Sequence, residues 1–220
     1  MQQVYEEIQQ FLGHKGVQLV AVSKTKSEKE ILKLYDLGQR DFGENRVVEL
    51  DAKRKNLPGD IRWHMIGHLQ RNKVKVIAEY VHMIHGVDSR RLLETINREA
   101  QKLDKIQKVL LQIKIAQEES KYGLDPSEAT IILNEVAQGD YPHINIEGFM
   151  GMATFTDDKD QIREEFKFLK EFQTKMLEQF EVQRLNLTQV SMGMSGDFDI
   201  AVEEGSTIVR IGSLLFGPRN

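Results

Sequence analysis

The sequence predicts an α/β protein that folds as a single (β/α)8 TIM barrel. Short runs rich in β-branched residues alternate with longer, amphipathic and charge-rich segments almost from one end of the chain to the other. Eight runs of the first kind occur, which is the number of strands in such a barrel. The length of 220 residues also fits one barrel. We therefore expect residues 1–220 to form one domain.

The predicted strands are short apolar runs bounded by turn residues. They cover residues 17–24, 40–43, 61–67, 81–87, 108–116, 144–152, 187–192 and 207–216. An open doubly wound sheet is the alternative arrangement. That fold offers a G-x-G-x-x-G turn after its first strand, and here the chain reads Ser23-Lys24-Thr25-Lys26. The sequence therefore favours the closed barrel.

The predicted helices carry recognisable start and stop signals. They cover residues 4–12, 27–37, 46–55, 72–80, 88–105, 126–138, 161–180 and 197–204. Ser27 and Glu30 form a capping box, and Gly38 ends the helix that they begin. Pro126 stands at the first turn of its helix, where a missing N–H costs nothing.

Composition excludes several classes of function. The chain has 30 basic and 34 acidic side chains, which disfavours generic nucleic-acid binding. It has no cysteine, which excludes disulfides, thiolate metal sites and a cysteine nucleophile. The start of the chain lacks the pattern of a secretory signal, and every apolar run is too short to span a membrane. We expect a cytoplasmic protein that does not bind membranes.

Lys24 stands on a strand face that is expected to be buried. Because strand residues alternate between two faces, Lys24 shares its face with Val20 and Val22. In a barrel this face is the interior, where a desolvated amine is suited to imine formation. If the strand ends at Ser23 instead, Lys24 reaches solvent.

Arg210 falls on the same kind of face in the eighth predicted strand, together with Ile208 and Gly212. An inward guanidinium needs a polar partner. Two partners are open at this point: a core carboxylate, or a ring nitrogen of a bound cofactor.

Two glycine-bearing turns stand near the C-terminus, at residues 191–197 and 210–213. In TIM barrels, the loops after strands seven and eight form the usual phosphate site, because backbone N–H groups converge there. A phosphorylated ligand is the economical interpretation, and ordinary turn formation is the alternative. His64 and His68 are four residues apart, but no third ligand completes a metal set, so no metal is expected.

Five motifs along the chain closely resemble those of the pyridoxal phosphate homeostasis protein family. They are Ala21-Val22-Ser23-Lys24-Thr25, Phe42-Gly43-Glu44-Asn45, Trp63-His64-Met65-Ile66-Gly67-His68-Leu69-Gln70-Arg71-Asn72-Lys73, Ser191-Met192-Gly193-Met194-Ser195 and Val209-Arg210-Ile211-Gly212-Ser213. Residues 120–123 and 148–152 also match. The resemblance covers essentially the whole chain.

This resemblance implies a barrel related to the N-terminal domain of bacterial alanine racemase, carrying pyridoxal 5′-phosphate. The implied cofactor contacts are the Schiff-base lysine Lys24, Asn45 beside the cofactor, Ser195 with the backbone of Gly212 and Ser213 at the phosphate, and Arg210 at the pyridine nitrogen. Position 213 is commonly threonine in the family, and the serine here keeps the hydroxyl. An arginine at the ring nitrogen does not stabilise a pyridinium, so carbanion chemistry is less favoured.

The implied function is non-catalytic: the protein holds and releases pyridoxal phosphate and so buffers its level and amino-acid balance. Its implied partners are pyridoxal phosphate, amino acids and recipient apo-enzymes, and we expect a monomer. An amino-acid racemase is one alternative. It needs a second acid/base group, which in alanine racemases is a tyrosine of a further domain that we do not expect here. A class I aldolase-type barrel is the other, with Lys24 as Schiff-base lysine and Lys114 as the candidate second lysine.

Overall fold

The structure is a computed structural model that describes residues 1–116 and 123–217. Its strands form a closed parallel barrel in sequence order, β1 to β8, and β1 pairs with β8 to close it. The strands are β1 (Gln18–Val22), β2 (Asp41–Glu44), β3 (Arg62–Met65), β4 (Met83–Val87), β5 (Gln107–Gln112), β6 (Ile144–Met150), β7 (Leu185–Ser191) and β8 (Ile208–Ile211). The predicted (β/α)8 barrel is therefore confirmed.

Helices connect the strands, and one helix precedes the first strand. They are α1 (Gln2–Gly13), α2 (Glu28–Asp36), α3 (Val47–Asn56), α4 (Val74–Ile77), α5 (Arg90–Lys102), α6 (Pro126–Ala137), α7 (Lys159–Gln179), α8 (Phe198–Glu203) and α9 (Ser213–Phe216). A 3-10 turn, Arg71–Lys73, leads into α4. The capping box at Ser27 and Glu30 is present. Across residues 1–116 and 123–217, no helix combines the length and apolar character of a membrane span.

Strand alternation divides the core into two clusters. One set of strand side chains packs against the helices in a large apolar cluster. The other set points to the barrel axis, where a small cluster is made by Val20, Met83, Leu110, Met150 and Ile208. Each such buried aliphatic side chain contributes about 1.5–3 kcal/mol of transfer free energy. The apolar layer is small because polar side chains occupy much of the rest of the barrel axis.

The structure corrects the predicted end of the last strand. Strand eight was expected to cover 207–216, but β8 ends at Ile211 and residues Ser213–Phe216 form the short helix α9. Gly212 makes the change of direction with φ −124° and ψ −70°. A short apolar run has the same periodicity signal in a strand and in a buried helical turn, so the sequence alone could not separate them.

Candidate functional site

A cleft of about 380 Å³ opens at the mouth of the barrel, where the carboxyl ends of the strands meet. All six predicted site residues line it: Lys24, Asn45, Ser195, Arg210, Gly212 and Ser213. They come from the loops after β1, β2 and β7 and from the end of β8. This is the face of a (β/α)8 barrel on which active sites are built.

Lys24 lies in a turn that follows β1. The strand was expected to continue through residue 24 but ends at Val22, and the Lys26 N–H donates to the Ser23 carbonyl at 3.0 Å to close the turn. Lys24 is partly buried and lines the cleft, so it does not simply extend into bulk solvent. The next residue, Thr25, has a φ of +65°. A β-branched residue rarely adopts this conformation, which costs about 1–3 kcal/mol and is held only by surrounding contacts.

Those contacts come from an ionic cluster behind the turn, in which Lys53 and Glu44 are buried and Glu49 is partly exposed. The Lys53 Nζ donates to the Ser23 carbonyl at 2.7 Å, to Glu44 Oε1 at 2.7 Å and to Glu49 Oε1 at 2.6 Å. The Ser23 hydroxyl also donates to Glu44 Oε1, at 2.6 Å. The Thr25 N–H donates to Glu49 Oε1, at 2.6 Å. We call these residues, Ser23, Glu44, Glu49 and Lys53, the lysine-turn cluster, because they fix the peptide on both sides of Lys24.

Asn45 follows β2 and turns its side chain toward the cleft. Its Oδ1 is buried and has no hydrogen-bond partner in the described part of the chain, which is costly unless a ligand or solvent group meets it. The backbone of Asn45 passes very close to Gly67. A Cβ at position 67 would stand 2.5 Å from the Asn45 carbonyl oxygen, so only glycine fits there.

The loops after β7 and β8 meet at the wall of the cleft next to β1. The Gly212 N–H donates to Ser195 Oγ at 3.2 Å, which joins the two loops. A Cβ on Gly212 would lie 3.2 Å from both the Val22 Cβ and the Val22 carbonyl oxygen, so the backbone at 212 packs tightly against β1. Ser213 begins α9 and its side chain is exposed. Two serine hydroxyls and backbone N–H groups therefore border this part of the cleft.

Arg210 is buried on the inward face of β8, as the alternation predicts, with 4% of its surface exposed. Its Nη1 donates to the Ser191 carbonyl at 2.7 Å and to Ser191 Oγ at 2.6 Å, and its Nη2 donates to the Gly151 carbonyl at 3.0 Å. Burial lowers the pKa of the guanidinium to about 10. In residues 1–116 and 123–217, no carboxylate forms an ion pair with it, so the first of the two open alternatives, a core carboxylate, is not what the structure has.

His64 and His68 do not lie together. His64 is buried at the barrel axis, where its Nε2 is 3.0 Å from Asp41 Oδ1, whereas His68 is at the surface with its Nδ1 2.9 Å from Asp88 Oδ2. Within the described stretches, no group of three or more histidine, aspartate or glutamate side chains is arranged to hold a metal ion.

Sequence reasoning missed the polar side chains beneath the cleft. His85 and Ser191 are fully buried in β4 and β7, and Lys53 is buried on α3. Alternation along each strand is the signal that could have found His85 and Ser191, because both fall on inward positions. Ser120, Lys121 and Tyr122, which carried part of the resemblance, lie outside the described residues.

The cleft as a whole is suited to an anionic ligand. Its lining contains Lys24, Lys26 and Arg210 against one carboxylate, Asp197. The Asp197 Oδ1 accepts the Met194 N–H at 2.5 Å, so that carboxylate is engaged in shaping its own loop. An amine, a guanidinium, hydroxyls and an amide together offer donors for a phosphate and for a ring acceptor.

Comparison with known proteins agrees with this arrangement. The sequence profile described as "Alanine racemase, N-terminal domain" matches residues 1–220. The pyridoxal phosphate homeostasis protein of Aquifex aeolicus is 36% identical over 208 residues, 94% of this chain and 89% of that protein. The human protein of the same name is 39% identical over 212 residues, 92% of this chain and 76% of that protein.

A solved structure matches both in sequence and in shape. PipY of Synechococcus elongatus, determined with PLP bound, superposes with a TM-score of 0.85 at 35% identity, covering 97% of this chain and 100% of that one. The family resemblance predicted from the motifs is confirmed. The chain belongs to the pyridoxal phosphate homeostasis protein family, on a barrel of the alanine racemase N-terminal type.

Proposed function

We propose that this chain binds pyridoxal 5′-phosphate in the barrel-mouth cleft and acts in keeping the free cofactor available, as one domain over residues 1–220. The observation that carries the proposal is the convergence of six side chains and backbone groups, expected from separate motifs, on one cleft. They are Lys24, Asn45, Ser195, Arg210, Gly212 and Ser213.

The loops after β7 and β8 would hold the phosphate. Ser195 and Ser213 supply hydroxyl groups beside the backbone of Gly212, and a side chain at position 212 would crowd Val22. A phosphate bound by several charge-assisted hydrogen bonds is held more strongly than one bound by neutral contacts. The cationic lining of the cleft favours the same dianion.

Lys24 would hold the aldehyde end. When bound, pyridoxal phosphate supplies an aldehyde that condenses with a primary amine. The lysine-turn cluster fixes the peptide on both sides of Lys24, so the amine is presented from a rigid turn. Arg210 borders the same cleft as a hydrogen-bond donor and would face the ring nitrogen. Asn45, which also lines the cleft, would lie beside the cofactor.

We also propose that the protein holds and releases pyridoxal phosphate without strong catalytic activity. The Arg210 guanidinium donates hydrogen bonds and keeps its protons, so it would leave the ring nitrogen unprotonated and the ring a weak electron sink. This disfavours the racemase alternative. The aldolase alternative is disfavoured too, because Lys114, its candidate second lysine, is not among the residues that line the cleft. Amino acids and recipient apo-enzymes as partners, a monomeric state and cytoplasmic residence stay predictions of the sequence.

A titration with a matched pair of lysine variants tests the binding site. After titration with pyridoxal phosphate and removal of the free cofactor, we expect near-visible absorbance to stay with the wild-type protein and with Lys29→Ala, which removes an exposed lysine of α2. Lys24→Ala should not retain it. Borohydride reduction followed by peptide mass analysis should locate the adduct on Lys24. An unchanged adduct in Lys24→Ala would overturn the assignment.

Hydrogen exchange tests the non-catalytic part separately. The loaded protein, incubated in deuterated water with a panel of amino acids, should leave their α-hydrogens unexchanged over the time in which a loaded racemase exchanges them fully. Mixing the loaded protein with an apo-enzyme should restore that enzyme's activity. Rapid α-exchange would remove the non-catalytic proposal and keep the binding site.

A further inference from the structure

A line of buried polar side chains crosses the barrel beneath the cleft, from Arg210 to Asp41. The Arg210 Nη1 is 2.6 Å from Ser191 Oγ, and Ser191 Oγ is 3.0 Å from His85 Nδ1. The His85 Nε2 is 2.9 Å from His64 Nδ1, and the His64 Nε2 is 3.0 Å from Asp41 Oδ1. All five residues are buried. We call them the barrel chain.

The barrel chain passes through the barrel axis and does not follow one wall. His85 belongs to β4 and Ser191 to β7, and these strands are not neighbours in the barrel. The contact between them therefore joins opposite walls. From His85 the barrel chain continues across neighbouring strands, through His64 on β3 to Asp41 at the start of β2. It connects the cleft with the other end of the barrel.

The contacts of Arg210 determine where each proton lies. A guanidinium only donates, so the Ser191 oxygen accepts from Arg210. The Ser191 hydroxyl proton then needs an acceptor, and in the described part of the chain its remaining partner is His85 Nδ1. His85 must carry its proton on Nε2 and donate it to His64 Nδ1.

The same argument fixes the last bond. Because His64 accepts at Nδ1, it carries its proton on Nε2 and donates to Asp41 Oδ1. Asp41 is also held by a two-pronged contact from Arg62, with Nε and Nη2 donating at 2.7 and 2.6 Å. Each histidine carries one ring proton in this arrangement. For His85, burial lowers the pKa well below its usual value, which favours the same form of that ring.

Every dipole in the barrel chain therefore points in the same direction. The oxygen or bare nitrogen of each group faces Arg210, and the proton of each group faces Asp41. In the described residues no carboxylate is within ion-pair distance of the buried Arg210 guanidinium, although Asp197 acts on it electrostatically. Burying such a guanidinium is expensive, and aligned hydrogen-bond dipoles that polarise one another offset part of that cost. Adding one proton to the histidine pair would reverse the direction of its hydrogen bonds. A His85 N–H would then point at Ser191 Oγ, the oxygen that accepts from Arg210.

We propose that His64 and His85 are positioning residues, which act through Ser191 to hold the Arg210 guanidinium at the cleft as a fixed, charged donor. The proposal rests on the proposed function in one respect: Arg210 faces the cofactor. The histidines touch no part of the cleft themselves and contribute through the orientation of the bonds between them.

The proton positions can be tested without any cofactor. Long-range proton–nitrogen NMR of the apo-protein at neutral pH should find both His64 and His85 neutral and protonated on Nε2. His82→Phe is the control. It removes an imidazole whose ring centre is 5.3 Å from that of His64 but which is not part of the barrel chain, so both signals should stay in place. A proton on Nδ1 of either histidine, or a charged ring, would overturn the proposal.

Three variants test the effect on the cleft. Ser191→Ala and His85→Leu interrupt the barrel chain. Each should weaken pyridoxal phosphate binding about fivefold, which corresponds to the free energy that one buried hydrogen bond usually contributes. His85→Gln keeps an acceptor for Ser191 and a donor for His64, and should recover most of the affinity lost in His85→Leu. The absorbance maximum of the bound cofactor should shift in the two broken variants, but not in His85→Gln or His82→Phe.

The outcomes separate the two proposals. If His85→Gln loses as much as His85→Leu, His85 serves only packing and the positioning role is wrong. Ser191→Ala removes a single oxygen. If it leaves the affinity for pyridoxal phosphate and the absorbance of the bound cofactor unchanged, the barrel chain does not act on Arg210. If the wild-type protein fails to bind the cofactor, the proposed function fails, and the NMR measurement still decides the proton positions.

Discussion

The two ends of β2 each bury a carboxylate, and the two are held in different ways. Asp41 begins the strand and Glu44 ends it, with 6% and 0% of their surfaces exposed. Asp41 ends the barrel chain that leads to Arg210, and Glu44 belongs to the lysine-turn cluster behind Lys24. One short strand thus supports both halves of the cleft.

Both carboxylate oxygens of Asp41 accept hydrogen bonds, whereas only one oxygen of Glu44 does so in the described residues. Burial alone would raise the pKa of Asp41, but hydrogen bonds from Arg62 and His64 outweigh it and hold that pKa well below its usual range. Glu44 accepts from Lys53 and Ser23 at Oε1, while its Oε2 has no partner in the described residues. Burial therefore raises the pKa of Glu44. The Asp41 end tolerates its charge well, and the Glu44 end depends on a single cation.

The largest effect is expected from removing that cation. Lys53→Met should lower the free energy of unfolding by about 3–5 kcal/mol, because it leaves a buried carboxylate without its partner. Lys55→Met is the matched control on the same helix: Lys55 has 61% of its side chain exposed, against 8% for Lys53, and its pair with Asp51 is at the surface. The control should change stability by less than about 1 kcal/mol. Urea unfolding of both variants measures this, and equal losses would contradict it.

The next effect distinguishes the phosphate side of the cleft from Arg210. Ser195→Ala combined with Ser213→Ala should weaken pyridoxal phosphate binding about a hundredfold, since it removes the two hydroxyls that we propose contact the phosphate dianion. Arg210→Ala should weaken it about tenfold, because it removes one group at the ring. Ser127→Ala, at an exposed serine of α6, serves as the control. Equal losses in the double variant and in Arg210→Ala would be evidence against this division of the site.

The smallest effect, taken per unit of pH, is the pH dependence of stability, which should have opposite signs at the two ends of β2. Asp41 has a lowered pKa in the folded state, so its contribution is present above the unfolded pKa, near 3.9, and is lost as the pH falls. Glu44 has a raised pKa, so its contribution is present below about 4.3 and is lost as the pH rises through the folded value.

Two variants resolve these signs. The stability difference between wild type and Asp41→Asn should grow as the pH rises from about 2 to 5, with a slope of at most about 1.4 kcal/mol per pH unit. The difference between wild type and Glu44→Gln should shrink as the pH rises from about 4 upward. Unfolding curves collected across this range measure both, and slopes of the same sign would refute the comparison.

The sequence predicted the barrel and the residues of its cleft for a physical reason. Strands and capped helices are local patterns, and a closed parallel barrel brings every strand end to one mouth. Lys24, Asn45 and Ser195 therefore meet although they are far apart in the chain. Short apolar runs were the weak point, as the helix Ser213–Phe216 in place of a strand end demonstrates.

The buried polar side chains that hold the cleft residues in place could not be predicted from the sequence. His64 was considered only as a metal ligand, because its partner His85 is on another strand and Ser191 lies across the barrel. Lys53 resembled any other lysine on a charged helix, and its burial follows from how α3 packs behind β1 and β2. Contacts of this kind depend on the tertiary arrangement and leave no periodic pattern.

Gly67 has a consequence for how the cleft keeps its width. It is not part of the lining, yet its missing side chain leaves the space that the Asn45 backbone occupies. A single methyl group at 67 would displace the β2–α3 loop, and with it the Asn45 amide that lines the cleft. The width of the cleft therefore depends on the absence of a side chain at Gly67, in the loop after the neighbouring strand β3.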